Sequence, residues 1–291
     1  MESARISGSV ALVTGGANGI GEGIVRRLAG LGAKVVIADI DTESGEALAE
    51  QVDGHFVHCD VGEPADNEAA VGEAVSRYGG LHIVALNAGV ATDTGVTGEL
   101  DPIKYRRAMA INLDGVVYGA YAARSALRES GGGDIIVTAS IAGLLATPLN
   151  PVYGTNKAAV VGLVRALGPM WQDEGIRVNA LCPGFADTAM IDSIREMLAG
   201  REIPILDAER VVDGFLTVLT SDRSGQAWPV LPGLPIQPFP FAEIPGFRSV
   251  YPDPDSVRRP PRSRSAPGTP PHGKASPSAS PGRQTGPLSR G

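Results

Sequence analysis

The chain has 291 residues, of which 43% are hydrophobic, so it is long enough to build one large α/β domain around a buried core. Its formal net charge of -7 argues against a nucleic-acid partner, because a phosphate backbone attracts positive surfaces. The two cysteines, Cys59 and Cys182, fall at predicted buried strand ends, so we interpret them as core thiols of a cytoplasmic protein rather than as a disulfide framework. The apolar stretch 10–13 is too short for a signal or membrane segment, so no membrane association is predicted.

Short β-branched runs alternate with longer segments of helical periodicity between residues 10 and 230. This alternation predicts a Rossmann-type, doubly wound α/β fold with a mostly parallel, seven-stranded sheet and helices on both faces. The predicted strands are 10–14, 34–38, 55–59, 82–87, 134–139, 177–182 and 227–230. The predicted helices are 20–31, 44–51, 64–78, 102–130, 153–171 and 208–220. One sheet predicts one domain, over residues 1–232.

The composition changes abruptly beyond residue 232, where Pro, Gly, Ser and Arg dominate and neither periodicity continues. We therefore assign residues 233–291 to a disordered tail that adds nothing to the core. From residue 251 onward, the chain has seven basic residues and two acidic ones. A basic, proline-rich arm of this kind is also compatible with an SH3-like groove or an acidic surface as partner.

A glycine-rich stretch, TGGANGIG over residues 14–21, follows the first predicted strand and opens the first predicted helix. Gly15, Gly19 and Gly21 stand where tight turning, phosphate approach and helix–strand packing each exclude a side chain. Because a helix N-terminus attracts anions, the stretch predicts a pyrophosphate-binding loop. An ordinary glycine-rich turn is the alternative.

Asp39 ends the second predicted strand, 18 positions beyond Gly21, where a carboxylate can accept hydrogen bonds from the adenosine ribose. None of its neighbours in sequence or in the glycine-rich loop offers the positive charge that a ribose phosphate needs. Since a carboxylate repels that phosphate, the sequence predicts NAD rather than NADP as cofactor. A routine turn residue is the alternative for Asp39.

Two further polar stretches follow predicted strands, at the sheet edge where open α/β folds bind ligands. Asp60-Val61 follows the third strand, and Asn87-Ala88-Gly89 follows the fourth. Each taken alone is equally compatible with ordinary loop chemistry. No metal site is predicted.

Tyr153 and Lys157 lie four residues apart on a predicted helix, so their side chains project from the same face. An ammonium group nearby stabilises a phenolate, which would make Tyr153 a general acid/base. Ser140, thirteen residues before Tyr153, supplies a hydroxyl to hold a substrate oxygen, and an inward-facing Asn112 amide can hold a water. A surface Tyr–Lys contact and a surface Asn are the alternatives.

Taken together, these motifs resemble the short-chain dehydrogenase/reductase family over about residues 8–230, the first four-fifths of the chain. The resemblance implies that Tyr153 donates and accepts the proton, Ser140 orients the substrate oxygen, and Lys157 binds the nicotinamide ribose. It also implies that Asn112 carries a relay water and that Thr188 contacts the carboxamide. The cofactor contacts that it implies are Gly15, Asn18, Gly19, Ile20, Gly21, Asp39, Asp60, Val61, Asn87, Ala88, Gly89, Tyr153, Lys157, Pro183, Gly184 and Thr188.

Within the family, residues 151–167 and 178–194 are similar to the hydroxyprostaglandin dehydrogenase branch, whose members oxidise secondary alcohols on apolar chains. That similarity implies substrate contacts from Asn150, three positions before Tyr153, and from Phe185, beside those of Ser140 and Tyr153. Two features depart from the family pattern: Leu86 replaces a frequent second Asn, and the tail has no counterpart.

We therefore expect an NAD-dependent alcohol dehydrogenase or ketone reductase. Its small-molecule substrate would be an apolar secondary alcohol or ketone. The residues around the expected mouth are mostly apolar, which suits a lipid, steroid, terpenoid or aromatic alcohol unless several of them belong to the core; they are Leu144, Leu145, Phe185, Met190, Ile191, Ile194 and Met197. A homodimer or homotetramer is expected from the resemblance. The rival hypothesis is a silent NAD-binding scaffold that recruits partners through the tail.

Overall fold

The computed structural model describes residues 6–92, 99–148 and 150–242. Within them, parallel strands form one seven-stranded sheet in the order β3-β2-β1-β4-β5-β6-β7. The strands are β1 (Val10–Thr14), β2 (Lys34–Asp39), β3 (His55–His58), β4 (Ile83–Leu86), β5 (Gly133–Thr138), β6 (Ile176–Pro183) and β7 (Ala227–Val230). The predicted doubly wound α/β fold is confirmed.

Helices cover both faces of this sheet. They are α1 (Gly19–Gly30), α2 (Thr42–Val52), α3 (Pro64–Tyr78), α4 (Pro102–Met109), α5 (Gly115–Glu129), α6 (Pro151–Met170), α7 (Arg195–Gly200) and α8 (Ala208–Thr220). Buried residues of α1, α2 and α8 pack on one face, and those of α3, α5 and α6 pack on the other. The sheet is therefore the middle layer of three.

Strand β1 shows why the sequence requires two covering layers. Val10 and Leu12 contribute to the core on the side of α3, α5 and α6, whereas Ala11 and Val13 contribute to the opposite core. Successive side chains of a strand point to opposite faces, so an uninterrupted apolar run needs helices on both sides. All five residues of β1 are buried.

The order of the strands creates the binding crevice. From β1 the chain moves outward to β2 and β3, then crosses back to β4 on the other side of β1. Loops after β1 and β4 therefore leave the sheet edge in opposite directions, and open α/β sheets bind ligands at such a switch point. The glycine-rich loop and the Asn87-Ala88-Gly89 corner both lie there.

The structure differs from the predicted helices at several places. The predicted helix 102–130 is interrupted by one π-helical turn, Ala110–Asp114, which separates α4 from α5. Helix α6 begins at Pro151, two residues earlier than predicted, because Asn150 caps it and proline is favoured in the first turn. Helix α7 is a short helix that the periodicity did not predict.

The first ten residues that the sequence assigned to the tail contact the domain. Arg210 donates to the Leu234 carbonyl (2.9 Å), and the Phe239 N–H donates to the Ala227 carbonyl of β7 (2.7 Å). Ile236 packs on one core, whereas Phe239 and Phe241 pack on the other. Apolar side chains between prolines anchor an extended segment without any periodicity. The rest of the predicted tail, residues 243–291, lies outside the described residues.

Cys59 and Cys182 are both buried and unpaired, as the sequence predicts. Across residues 6–92, 99–148 and 150–242, no helix has the length and apolar character needed to cross a membrane. In the same ranges, no group of His, Cys, Asp and Glu side chains is arranged to hold a metal ion.

Candidate active site

The glycine-rich loop between β1 and α1 is built so tightly that side chains are excluded. Gly15 and Gly19 have positive φ angles of +60° and +57°, which favour glycine. A Cβ on Gly15 would lie 2.7 Å from the Ala88 Cα, and one on Gly21 would lie 1.9 Å from the Gly15 carbonyl oxygen. The loop therefore packs directly against the corner after β4, and its backbone lines the crevice.

The N-terminus of α1 lacks a side-chain cap. Asn18 occupies the capping position, but its amide donates to Asp41 (3.1 Å) instead of satisfying a helix N–H. The first-turn N–H groups and the helix dipole are thus available to an anion. A narrow cradle of glycine backbone beside an uncapped helix end fits the pyrophosphate of a dinucleotide. Ile20, half-buried, lies in this first turn.

Asp39, the last residue of β2, is hydrogen-bonded to the glycine-rich loop. Its Oδ2 accepts from the Ala17 N–H and its Oδ1 accepts from the Asp41 N–H, both at 3.0 Å. The carboxylate is therefore held at the switch point with lone pairs left for ribose hydroxyls. Ile40, which follows it, is 58% exposed and leaves an apolar surface beside the carboxylate.

Asn87 joins three neighbouring strands at the carboxyl edge of the sheet. Its Nδ2 donates to the Gly15 carbonyl (3.1 Å), and its Oδ1 accepts from the Thr138 hydroxyl (3.0 Å). The Thr14 hydroxyl accepts from the N–H groups of Asn87 and Ala88. This network holds the glycine-rich loop in register with the end of β5. Leu86, the departure from the family pattern, is a buried core residue of β4.

Asp60 and Val61 follow β3, at the same edge of the sheet. The Asp60 carboxylate accepts from the Gly62 N–H (2.9 Å), and Val61 is buried against Gly115 of α5. The Asp60 side chain thus shapes its own turn, and Val61 anchors that turn. Both residues lie in the loop that the sequence predicted for them.

Ser140, Tyr153 and Lys157 lie together at the end of β5. Ser140 caps a one-turn 3₁₀ helix: its Oγ accepts from the Ala142 N–H (3.1 Å) and donates to the Pro183 carbonyl (3.4 Å). The same hydroxyl lies close enough to the Tyr153 side chain to act on the pKa of its phenol. Lys157 is buried, with its Nζ 5.7 Å from the centre of the Tyr153 ring. That Nζ donates to the Thr138 carbonyl (2.9 Å). The structure therefore brings the three predicted side chains together.

Burial shifts the protonation of both groups. It raises the pKa of Tyr153, although the Ser140 hydrogen bond opposes the rise, so the phenol carries its proton at neutral pH. Burial also lowers the pKa of Lys157 to about 8. Because this value is still above 7, the ammonium form predominates at pH 7. The site thus offers a proton on Tyr153 and a nearby positive charge that would stabilise its phenolate.

Asn112 lies in the π-helical turn and is fully buried. Its Oδ1 accepts from the Val90 N–H (2.8 Å), while its Nδ2 donates to the Val90 carbonyl (3.0 Å) and to Asn156 (3.3 Å). Both amide hydrogens therefore have protein partners, so a water would have to bind the second lone pair of the Oδ1, and the water-holding role of Asn112 stays a prediction. The geometry favours a structural contact between the π-turn and the loop after β4.

Asn150 caps helix α6 beside the cluster. Its Oδ1 accepts from the Tyr153 N–H (3.1 Å) and from the hydroxyl of the buried Thr92 (2.6 Å). The side chain therefore orients the first turn of α6, and only its Nδ2 remains for the predicted substrate contact. Phe185 is half-buried, and its carbonyl accepts from the Leu206 N–H (2.6 Å).

The segment after β6 approaches the glycine-rich loop from the far side of the crevice. The Gly184 N–H donates to the Val230 carbonyl (3.0 Å), which aligns the turn after Pro183 with the end of β7. A Cβ on Gly19 would lie 3.3 Å from the Thr188 Cγ2, so Thr188 stands opposite the start of α1. Gly89 is similarly close to Asn112 and Lys157. These predicted residues surround one crevice.

Two residues of the site were not predicted from the sequence. Asn156 is fully buried and bonds to Asn112, and Thr92 bonds to Asn150. Asn156 carries a usable signal, because it lies three positions after Tyr153, a spacing that makes the two residues neighbours on one side of the helix. Thr92 carries none, since nothing in the loop after β4 distinguishes it from a turn residue.

Comparisons with known proteins agree with this geometry. The family model described as short chain dehydrogenase matches residues 9–199. The chain therefore belongs to the short-chain dehydrogenase family, which makes it an oxidoreductase with a nicotinamide cofactor. The specific hydroxyprostaglandin dehydrogenase branch stays a prediction.

Several curated relatives share more than a third of their aligned residues with this chain. The 3-alpha-(or 20-beta)-hydroxysteroid dehydrogenase of Mycobacterium bovis is 37% identical over 76% of this chain and 86% of its own. Cyclohexanol dehydrogenase of Acinetobacter sp. is 35% identical over 67% and 79%. Borneol dehydrogenase of Lavandula x intermedia is 38% identical over 76% and 86%.

Among solved structures, levodione reductase is similar, with a TM-score of 0.71 and 27% identity over 77% of this chain and 96% of its own. A 3-ketoacyl-(acyl-carrier-protein) reductase from Brucella melitensis, complexed with NADH, has a TM-score of 0.72 and 28% identity. That match covers 78% of this chain and 98% of the reductase.

Proposed function

We propose that this protein is an NAD-dependent dehydrogenase that interconverts a secondary alcohol and its ketone on an apolar carbon skeleton. The observation that carries the proposal is the cluster of Ser140, Tyr153 and Lys157 beside an uncapped helix end. A proton-transfer group and a cradle for a dinucleotide thus share one crevice. A silent scaffold would need the cradle alone.

The glycine backbone at residues 15–21 would hold the pyrophosphate of the cofactor, and Asp39 would hold its adenosine ribose. Asp60, Val61, Asn87, Ala88 and Gly89 would line the same bound dinucleotide, with Pro183, Gly184 and Thr188 opposite. Bound NAD supplies a hydride acceptor when the alcohol is oxidised and, as NADH, a hydride donor in the reverse direction. The exclusion of side chains at Gly15 and Gly21 supports this assignment.

The chemistry of this chain's own residues is proton transfer. In the oxidising direction Tyr153, as phenolate, would take the alcohol proton on its Oη, and the cofactor would be the acceptor for the hydride of the carbinol carbon. Ser140 holds the reacting oxygen, and the Lys157 ammonium stabilises the phenolate. In the reducing direction, the raised pKa of Tyr153 keeps the phenol ready to donate.

The preference for NAD over NADP is supported by charge. The Asp39 carboxylate is held by the Ala17 and Asp41 N–H groups, and the Asp41 carboxylate lies next to Asn18. A 2′-phosphate would approach two acidic side chains there. None of the neighbouring residues, which are Gly16, Ala17, Asn18 and Ile40, carries a positive charge that would offset them. Coulomb repulsion opposes that approach.

An alicyclic, apolar substrate is supported by the rim of the crevice and by the relatives. Leu145 is 60% exposed and Met190 is 42% exposed, so both offer apolar surface to a ligand, whereas Ile191 is buried in the core. Cyclohexanol and borneol, which name two of the relatives, are secondary alcohols on saturated rings. Asn150 and Phe185 would contact such a substrate beside Tyr153.

A homodimer or homotetramer belongs to the same proposal. Ile103, Tyr121 and Met170, on helices α4, α5 and α6, are 74%, 49% and 59% exposed. Large apolar side chains exposed on neighbouring helices are the surface that a second copy would bury.

The experiment that tests the function measures nicotinamide absorbance with a panel of cyclic secondary alcohols and their ketones. We expect NAD reduction with at least one cyclic secondary alcohol and slower turnover of a primary alcohol of equal size. Fluorescence titration with NADH serves as the control for folded, cofactor-competent protein. Tight NADH binding without turnover of any alcohol or ketone would support the scaffold instead.

A further inference from the structure

Asn156 is a buried amide on α6, between Tyr153 and Lys157 in sequence. Its side chain is fully buried, yet it bonds to no group that the proposed chemistry uses directly. A buried amide costs free energy unless its polar atoms are paired, so its partners indicate why this position is polar.

Both partners of Asn156 belong to the interrupted helix. Its Oδ1 accepts from the Asn112 Nδ2 (3.3 Å), and its Nδ2 donates to the Met109 sulfur. Met109 ends α4, and Asn112 lies at the centre of the π-helical turn. One side chain of α6 therefore contacts both the start and the middle of that turn.

The Asn112 amide has only one favourable orientation. Its Oδ1 faces the Val90 N–H and its Nδ2 faces the Val90 carbonyl, so a flipped amide would place like groups together. Asn156 accepts the second hydrogen of the same Nδ2. Without that acceptor, a buried N–H would be unpaired in the observed orientation.

This arrangement adjoins the proposed reaction site. A Cβ on Gly89 would lie 3.3 Å from the Asn112 Oδ1 and 3.7 Å from the Lys157 Nζ, so the two side chains converge on this glycine. A π-turn is rare because its geometry is less favourable than that of a regular α-helix, and it persists where other contacts hold it. Asn112 and Asn156 supply those contacts.

We propose that Asn156 is a positioning residue: it fixes the Asn112 amide and, through it, the π-turn and the Val90 backbone beside Lys157. The proposal deepens the proposed dehydrogenase function and rests on it for its effect on turnover. Its structural part, the anchoring of the π-turn, stands independently of any activity.

The test replaces Asn156 by leucine, which has nearly the same size but no acceptor. In the N156L protein, we expect kcat for the best alcohol to fall roughly tenfold or more, since a small misplacement of reacting groups costs up to ~10²-fold. The dissociation constant for NADH should change by a smaller factor than kcat, because the phosphate loop is untouched. Amide hydrogen exchange without cofactor should become faster in peptides covering residues 88–92 and 109–115.

Two further variants separate positioning from packing. M109L removes the sulfur contact but keeps the Asn112–Asn156 bond, so it should change kcat and exchange clearly less than N156L does. N156L added to N112A should lower kcat no further than N112A alone, because the acceptor has already lost its donor. If N156L does not fold, N156S, whose hydroxyl is too short to reach Asn112, carries the same expectations.

Unchanged exchange at residues 109–115 in the Asn156 variant would overturn the proposal, as would an additive loss of kcat in the double variant. Absence of turnover in the unmodified protein would instead refute the proposed function. In that case the exchange measurement still decides whether Asn156 anchors the π-turn.

Discussion

Asp39 holds the phosphate loop in the fold and, in the proposed function, would also bind the cofactor. Its two oxygens accept from the Ala17 and Asp41 N–H groups, which ties the phosphate loop to the end of β2. In the proposed cofactor complex, this carboxylate would face the 2′-phosphate of NADP. Selectivity at this residue should therefore follow charge.

The substitution D39R should move cofactor preference from NAD toward NADP. We expect the unmodified protein to prefer NAD by about tenfold or more, which corresponds to ~1.4 kcal/mol, and D39R to reduce or reverse that ratio. The measurement is kcat/KM with each cofactor. E43R makes the same change of charge on an exposed residue of α2 and should leave the ratio nearly unchanged. Equal preference in the unmodified protein would contradict the role of Asp39.

Residues with a strong local signal could be predicted from the sequence. The spacing of Tyr153 and Lys157 and the position of Ser140 after a strand suffice to bring them together, and the structure does so. Asn156 was missed, because its role depends on a contact across 44 positions with Asn112. The cap formed by Asn150 was missed too, since the sequence suggested only a substrate contact.

Among the helices and strands, too, some could be predicted from the sequence and others could not. Apolar runs such as β1 are unambiguous, because a strand buried on both faces must be apolar throughout. The π-turn at Ala110–Asp114 could not be predicted from the periodicity, because a single turn is much shorter than the window over which a helical pattern is recognised. Its stability comes from the tertiary contacts of Asn112.

Helix α1 offers a matched pair of glycines that tests the phosphate cradle. In G21A the new methyl group would meet the Gly15 carbonyl oxygen at 1.9 Å, so the loop must shift and NADH binding should weaken by at least about tenfold. In G30A, at the other end of the same helix, nothing lies within 4 Å of the new methyl group. That variant should bind NADH normally, with an unchanged or higher Tm. Normal NADH affinity in G21A would exclude this loop as the cradle.

At the scale of the whole molecule, the folded domain extends further along the chain than the composition suggests. Residues 234–241 lie along the edge of β7, where Phe239 pairs with Ala227 and the Arg165 guanidinium lies 3.9 Å from the centre of the Phe241 ring. We propose that the domain extends to residue 242. Composition did not indicate this, because prolines and glycines mask the apolar residues between them.

Two truncations test that boundary. A chain ending at Ala242 should keep the Tm and the NADH affinity of the full chain. A chain ending at Pro232 loses Ile236, Phe239 and Phe241 from the cores, which should lower the free energy of unfolding by roughly 2 kcal/mol or more. For a domain of this size that corresponds to a fall in Tm of about 4–8 °C by calorimetry. Equal Tm values for the two chains would contradict the boundary.

The central claim is that Tyr153 transfers the proton, and the substitution Y153F tests it most directly. It removes the hydroxyl and little else, so NADH should bind with unchanged affinity while kcat for the best alcohol falls by about 10² to 10⁴. Y121F makes the same chemical change on an exposed tyrosine of α5 and should retain full turnover. If Y153F retains most of its turnover, another group transfers the proton and this account of the site is wrong.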